Sequence, residues 1–168
     1  MSDLDFPLIH RLNSILGWLE LGSSGDARKE LNELPAELHG TPMVLEIRWL
    51  VEAADQNWEE ALLSARALVQ AAPEMPEGWL HQAYALRRVP KGGLTAAWNA
   101  LASAESTFPE EPIFPYNLAC YACQLGKMDQ ARDLLQRALA IGNSKTIREM
   151  ALNDSDLEPL WKEIRALK

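Results

Sequence analysis

Apolar and small residues recur along this chain at the steps of a buried helical stripe. Ala61, Ala65 and Leu68 stand four and then three residues apart, and the same steps return at Ala97, Leu101, Ala104 and at Ala131, Leu135, Ala138. Such steps keep side chains on one side of an α-helix, so each set predicts a helix with one buried face. Extended along the chain, the pattern predicts helices in pairs. The first helices of the pairs lie at about 8–21, 43–55, 77–89 and 113–125, and the second at about 26–34, 58–71, 94–107 and 128–141.

A small residue near the head of each second helix sets a regular beat. Ala27, Ala61, Ala97 and Ala131 are 34, 36 and 34 residues apart. Asn57-Trp58-Glu59-Glu60-Ala61 aligns with Gly93-Leu94-Thr95-Ala96-Ala97, and the register holds to Ala72-Pro73-Glu74-Met75-Pro76 against Phe108-Pro109-Glu110-Glu111-Pro112. A period of this length marks a repeat architecture, in which each helical pair hides its apolar side only against its neighbours. The punctuation agrees. Pro42, Pro73, Pro76, Pro109 and Pro112 fall between pairs, where a missing N–H is tolerated, and Gly22 and Gly126 end the first helices of the outer pairs, suited to left-handed capping turns. The expected units are 8–39, 43–75, 77–110 and 113–142.

The end of such an array leaves an apolar face that must be covered. Residues 144–168 supply the cover: a short helix over 144–152, then Asn153-Asp154-Ser155-Asp156-Leu157-Glu158-Pro159-Leu160, in which Ser155 or Asp156 caps a final helix containing Leu160, Trp161, Ile164 and Leu167.

Composition sharpens this picture without changing it. A length of 168 residues suits one domain, 48% hydrophobic residues suffice for a continuous core, and abundant Ala and Leu with only nine glycines favour helices throughout. The fold class expected is all-α. A net charge of −8 without a basic stripe argues against nucleic acid as a partner. An acidic start, no apolar run of membrane-spanning length and only two cysteines, Cys120 and Cys123, lead to the expectation of a cytoplasmic protein without membrane insertion.

Two helices per period of about 34 residues, with a small residue where the helices approach, resemble the tetratricopeptide repeat (TPR) family, whose pattern is W-x2-L-G-x2-Y, then A-x3-F, then P. The resemblance covers about residues 8–142. The third unit matches with Trp79, Gln82, Ala83, Leu86, Ala97, Leu101 and Pro109, and the fourth with Leu118, Ala119, Ala122, Gly126, Ala131 and Leu135. Tyr116-Asn117-Leu118-Ala119-Cys120-Tyr121 resembles a terminal repeat of bacterial arrays, and Asp-x-Asp-Leu-x-Pro-Leu their closing segment. The second unit departs from the pattern, with Trp49 in place of a small residue and Glu52 in place of an aromatic one, so its first helix is expected to pack irregularly. The first unit keeps Ala27 and Leu31 but has a longer loop through His39-Gly40-Thr41-Pro42.

The resemblance implies a right-handed α-solenoid of about four helix-turn-helix units with C-terminal capping helices, its first helices lining a concave groove for a peptide or protein surface. Carried over by position, the groove residues are Glu46, Ile47 and Leu50 in the second unit, His81, Tyr84, Arg87 and Arg88 in the third, and Tyr116, Asn117, Cys120 and Gln124 in the fourth. Members that clamp acidic chaperone tails use Lys, Arg and Asn, of which only Asn117 corresponds; Leu12, Leu16 and Ile47 stand at the other matched positions. An apolar first half beside a polar second half points instead to a mixed peptide or a protein surface.

Catalytic and metal chemistry lacks a motif. His10, His39 and His81 fall in different units without metal spacing, and one C-x2-C pair outside a βαβ context matches neither a zinc ribbon nor a thioredoxin motif. Lys91-Gly92-Gly93 has no phosphate-loop frame, and Asp154 with Asp156 lacks the EF-hand spacing, which favours helix capping. No cofactor is expected. Of six tryptophans, Trp58 and Trp79 occupy packing positions, and Trp18 and Trp98 are candidates for contact with a partner. The reading is a non-catalytic interaction module or adaptor; the alternatives are a dedicated chaperone for one client and a self-associating structural or accessory subunit.

Overall fold

A computed structural model of the protein describes residues 5–166, and these are all-α. The first helices of the expected pairs are α1 (Asp5–Glu20), α3 (Pro42–Ala54), α5 (Pro76–Leu86) and α7 (Ile113–Gln124). The second are α2 (Ser24–Asn32), α4 (Trp58–Ala71), α6 (Leu94–Glu105) and α8 (Met128–Ile141). The tail forms α9 (Ser144–Asn153), a 3-10 segment (Ser155–Leu160) and α10 (Trp161–Ala166), and a further 3-10 turn, Ala36–Leu38, occupies the long first loop. Leu167, counted in the final helix, lies outside the described residues.

The chain divides into two compact units, one up to Val89 and one from Pro90. The division falls inside the unit expected at 77–110, at Val89-Pro90-Lys91-Gly92-Gly93. Here α5 stops at Leu86, three residues short of expectation, with the Arg88 and Val89 amides both donating to the Ala85 carbonyl. Pro90 explains the early stop, because its ring disfavours helical geometry at the preceding residue.

Within the first unit each helix packs on the next, α1 also meets α3, and α3 also meets α5. Leu12, Ile15, Leu31, Val44, Ile47 and Val51 form one part of its core and Trp49, Leu62, Ala65 and Ala85 another. Within the second unit α7 packs on α6, on α8 and on the 3-10 segment, while α9 packs on α8 and α10. Covered on three sides, α7 buries nearly every residue from Phe114 to Cys123.

The alanine beat is a packing beat. Ala27, Ala61, Ala97 and Ala131 are fully buried, as are Ala65, Leu68, Leu101 and Ala138 of the predicted stripes. With no exposure left at these positions, a larger side chain there would overpack the interior. The capping turns recur as well. Gly22 and Gly126 adopt φ of +74°, and each turn is closed by one amide reaching back three residues and the next reaching back five: Gly22 to Leu19 and Ser23 to Trp18, Gly126 to Cys123 and Lys127 to Ala122. This is the paired hydrogen bonding of a helix C-terminus in left-handed geometry. Gln56 makes the same turn at φ +58°, with its amide on Ala53 and the Asn57 amide on Glu52.

Ser155 and Asp156, expected to cap the final helix, instead lie in the 3-10 segment that leads into α10, and the N-cap of that segment is Asp154, whose side chain accepts from the Asp156 amide at 2.9 Å. An aspartate readily accepts from the amide two residues on, which places the cap ahead of the turn it closes. Asn143 caps α9 by accepting from the Thr146 amide at 3.0 Å.

Candidate functional site

In the first unit, α1 and α3 leave an apolar groove of about 380 Å³ between them. Leu12 and Ile47 are buried at its base, Leu16 and Leu50 are half-buried, and Ile9 and Met43 stand 42% and 52% exposed. The helical steps from Ile9 to Leu12 to Leu16, and from Met43 to Ile47 to Leu50, put these side chains on facing stripes. Thus Leu12, Leu16, Ile47 and Leu50, matched only by position in the sequence, gather around one groove. Ile47 itself is core, and its side chain is not open to a partner.

Glu46 lines the same groove half-buried. Burial, and secondarily the negative charge of Glu77 in the first turn of α5, push its carboxyl above the ordinary carboxylate range. No hydrogen bond or ion pair reaches Glu46 among the described residues.

Trp49 does not disturb α3, which runs unbroken. Where a small side chain was expected, its indole lies flat on the His81 imidazole, with centroids 3.7 Å apart and planes 7° from parallel. Tyr84 meets Trp49 edge-on at 5.8 Å and also meets Trp58 at 5.8 Å. Arg88 lies over Tyr84 at 3.5 Å and faces Trp58 at 5.0 Å, while donating to the Tyr84 carbonyl. Trp49 Nε1 and His81 Nε2 are buried without hydrogen-bond partners among the described residues, and burial lowers the His81 pKa to about 4. His81 is therefore a neutral packing residue, Tyr84 is 41% exposed, and Arg88 and Arg87 are both engaged within the protein.

The fourth-unit positions are occupied by the chain itself. Tyr116 is 4% exposed, and its hydroxyl donates to Asp154 Oδ2 at 3.1 Å; Cys120 is 2% exposed, with its thiol 3.4 Å from the same oxygen. Gln124 donates to the Asp156 carbonyl at 3.0 Å, and Asn117 to the Ile113 carbonyl at 2.9 Å. Tyr116 and Cys120 are thus core side chains of the tail contact and not open groove positions. The signal that would have found this lies in the tail, where Asp154 can cap a helix and accept from α7 together.

A second feature missed from sequence is an ion pair on a buried carboxylate. Glu52, in place of an aromatic residue, is 5% exposed and takes two bonds from Arg28, at 2.5 and 3.0 Å, and one from Asn57 at 3.2 Å. Arg28 also reaches Asp55 at 2.5 Å. The Ser24 hydroxyl first, and then Arg28, hold the Asp55 carboxyl below the ordinary range.

Among the other candidates, Trp18 is 37% exposed but its N–H is taken by Glu30 at 3.0 Å, and half-buried Trp98 is faced by Lys127 at 5.3 Å. Cys123 is buried, which pushes its thiol up and away from the reactive thiolate. Among the described residues no group of three His, Cys, Asp or Glu side chains could hold a metal ion, and no helix is long and apolar enough to cross a membrane. No protein-family model matches the chain, and no curated protein matches it.

Proposed function

We propose that the protein is a non-catalytic interaction module of tetratricopeptide type, which holds a peptide or a protein surface on the face of α1 and α3. The observation that carries this reading is the groove between those helices, where Ile9 and Met43 remain exposed above a packed apolar base. Apolar side chains gathered at a concave site on rigid helices gain most by burial against a ligand. The 34-residue beat, with its buried alanines and repeated capping turns, supports assigning the scaffold to that repeat type. Among the described residues of the face no acid, base and nucleophile come together, which favours binding over catalysis.

The test is a photoreactive side chain at position 43 of the full chain, compared with one at position 63, where Leu63 is 56% exposed on α4. Irradiation in the native cell is expected to give a discrete adduct from position 43, absent from position 63 and abolished by Ile9→Asp. The same weak pattern from both positions would remove the groove from consideration.

A further inference from the structure

We propose that the segment held between α1 and α3 is apolar and carries a lysine or arginine that pairs with Glu46. This rests on the binding-module reading above and adds the chemistry of the partner.

Several carboxylates that the fold takes out of water are matched within the chain. Glu52 has Arg28, Glu30 accepts from the Ser14 hydroxyl at 2.8 Å and the Trp18 N–H at 3.0 Å, and Asp154 accepts from the Tyr116 hydroxyl and the Asp156 amide. Glu46 is different. It lines an apolar groove, takes no hydrogen bond or ion pair among the described residues, and feels the like charge of Glu77. A carboxylate left in that setting loses hydration without recovering a partner. Burial, and secondarily the charge of Glu77, already raise its affinity for a proton, and a cation beside it would act in the opposite direction.

A ligand cation beside Glu46 would supply the missing partner and offset the repulsion from Glu77. Apolar neighbours in the ligand would cover Ile9 and Met43, drying the pair and strengthening it. The net charge of −8 draws a basic segment in and repels an acidic one.

Random twelve-residue peptides displayed on phage, selected on the full chain, test the inference. Selections run in parallel on Glu46→Lys, on the near-isosteric Glu46→Gln, and on Met43→Asp as a blocked groove. Circular dichroism and thermal midpoints verify folding, and Glu46→Lys should melt no lower than the wild type, since its ammonium would face Glu77. The expected result is enrichment on the wild type of apolar peptides bearing Lys or Arg. Synthetic versions should bind about tenfold more weakly to Glu46→Lys, and less weakly to Glu46→Gln. Selection on Glu46→Lys should turn toward Asp and Glu.

Apolar peptides without a basic residue, bound equally by wild type and Glu46→Lys, would overturn the pairing and leave the groove reading intact. Acidic peptides on the wild type would do the same. No enrichment over Met43→Asp would overturn both readings. A dimer in sedimentation equilibrium that Met43→Asp dissociates would also overturn the inference, because a second copy of the chain would then cover the groove.

Discussion

The two units carry different residues at the same repeat positions, and the differences decide which face stays open. Glu46 and Tyr116 lie 70 residues apart in equivalent places on α3 and α7. In the first unit the position lines an open apolar groove with an unmatched carboxylate. In the second, the Tyr116 hydroxyl donates to Asp154, and the 3-10 segment Ser155–Leu160 packs on α7, bringing Leu157 and Leu160 into the core. Where the chain's own tail lies on a first helix, Tyr116, Cys120 and Gln124 find partners in it; on α3, apolar side chains and the Glu46 carboxylate line an open groove.

Arg28 and Arg132 give the largest test of that contrast. Each follows the buried alanine of its second helix, and each reaches a carboxylate on another element: Arg28 to Glu52, and Arg132 to Glu163 at 2.7 Å. The Glu52 side chain is only 6% exposed, whereas that of Glu163 is 51% exposed. Removing Arg28 strands the buried Glu52 carboxylate with only the Asn57 amide beside it. Arg28→Met is therefore expected to cost about 3 kcal/mol in urea unfolding, and Arg28→Met with Glu52→Leu to recover most of it. Arg132→Met leaves Glu163 hydrated and should barely move the midpoint. Equal losses at the two arginines would show that burial does not distinguish them.

Most of the architecture was legible because it follows from local rules. The alanine spacing located all four second helices, and Gly22 and Gly126 announced their turns, since a left-handed residue ending a helix is most often glycine. The groove was legible in part: Leu12, Leu16, Ile47 and Leu50 were matched by position, but neither the exposure of Ile9 and Met43 nor the burial of Ile47 follows from spacing. The second-unit positions were misread for a physical reason. Periodicity tells which side of α7 faces away from its partner helix, but not that residues more than thirty positions later fold back to cover it. Likewise Trp49 and Glu52 stood out as departures, but the imidazole under one and the arginine beside the other came from distant positions that no local pattern links.

His81 and Asn117 are a second matched pair, 36 residues apart. Asn117 closes its amide on the Ile113 carbonyl and does not titrate, whereas His81 is held neutral under Trp49 with a pKa of about 4. Because this folded value lies below that of the unfolded chain, the unfolded state takes up the proton first as pH falls. The stability is complete above about pH 6.5 and drains away toward pH 4, by about 3 kcal/mol. Glu46 acts in the opposite sense: its raised value lets the folded state take up a proton more readily, which adds stability as pH falls. Comparing urea midpoints at pH 7 and pH 4.5 for the wild type and for His81→Asn cancels that shared contribution. The wild type should lose more than the variant, and parallel losses would mean that His81 is not held neutral.

The smallest effect is expected at the capping turns, where the same hydrogen bonds isolate the backbone from everything else. Gly22, Gln56 and Gly126 occupy one repeat position and make one turn, with φ of +74°, +58° and +74°. A side chain costs about 1–2 kcal/mol in left-handed geometry, and Gln56 is exposed, so its truncation loses no packing. Glycine also widens the unfolded ensemble, which offsets part of the relief, so Gln56→Gly should stabilise the first unit by about 0.5–1 kcal/mol. The converse changes, Gly22→Ala and Gly126→Ala, meet no atom within 4 Å of the added Cβ, so any loss they cause is conformational and not steric. Each is expected to cost about 1 kcal/mol in thermal or urea unfolding. Opposite signs at one repeat position would establish the left-handed turn as its common requirement. A destabilised Gln56→Gly would mean instead that the glutamine side chain holds its turn by a contact of its own.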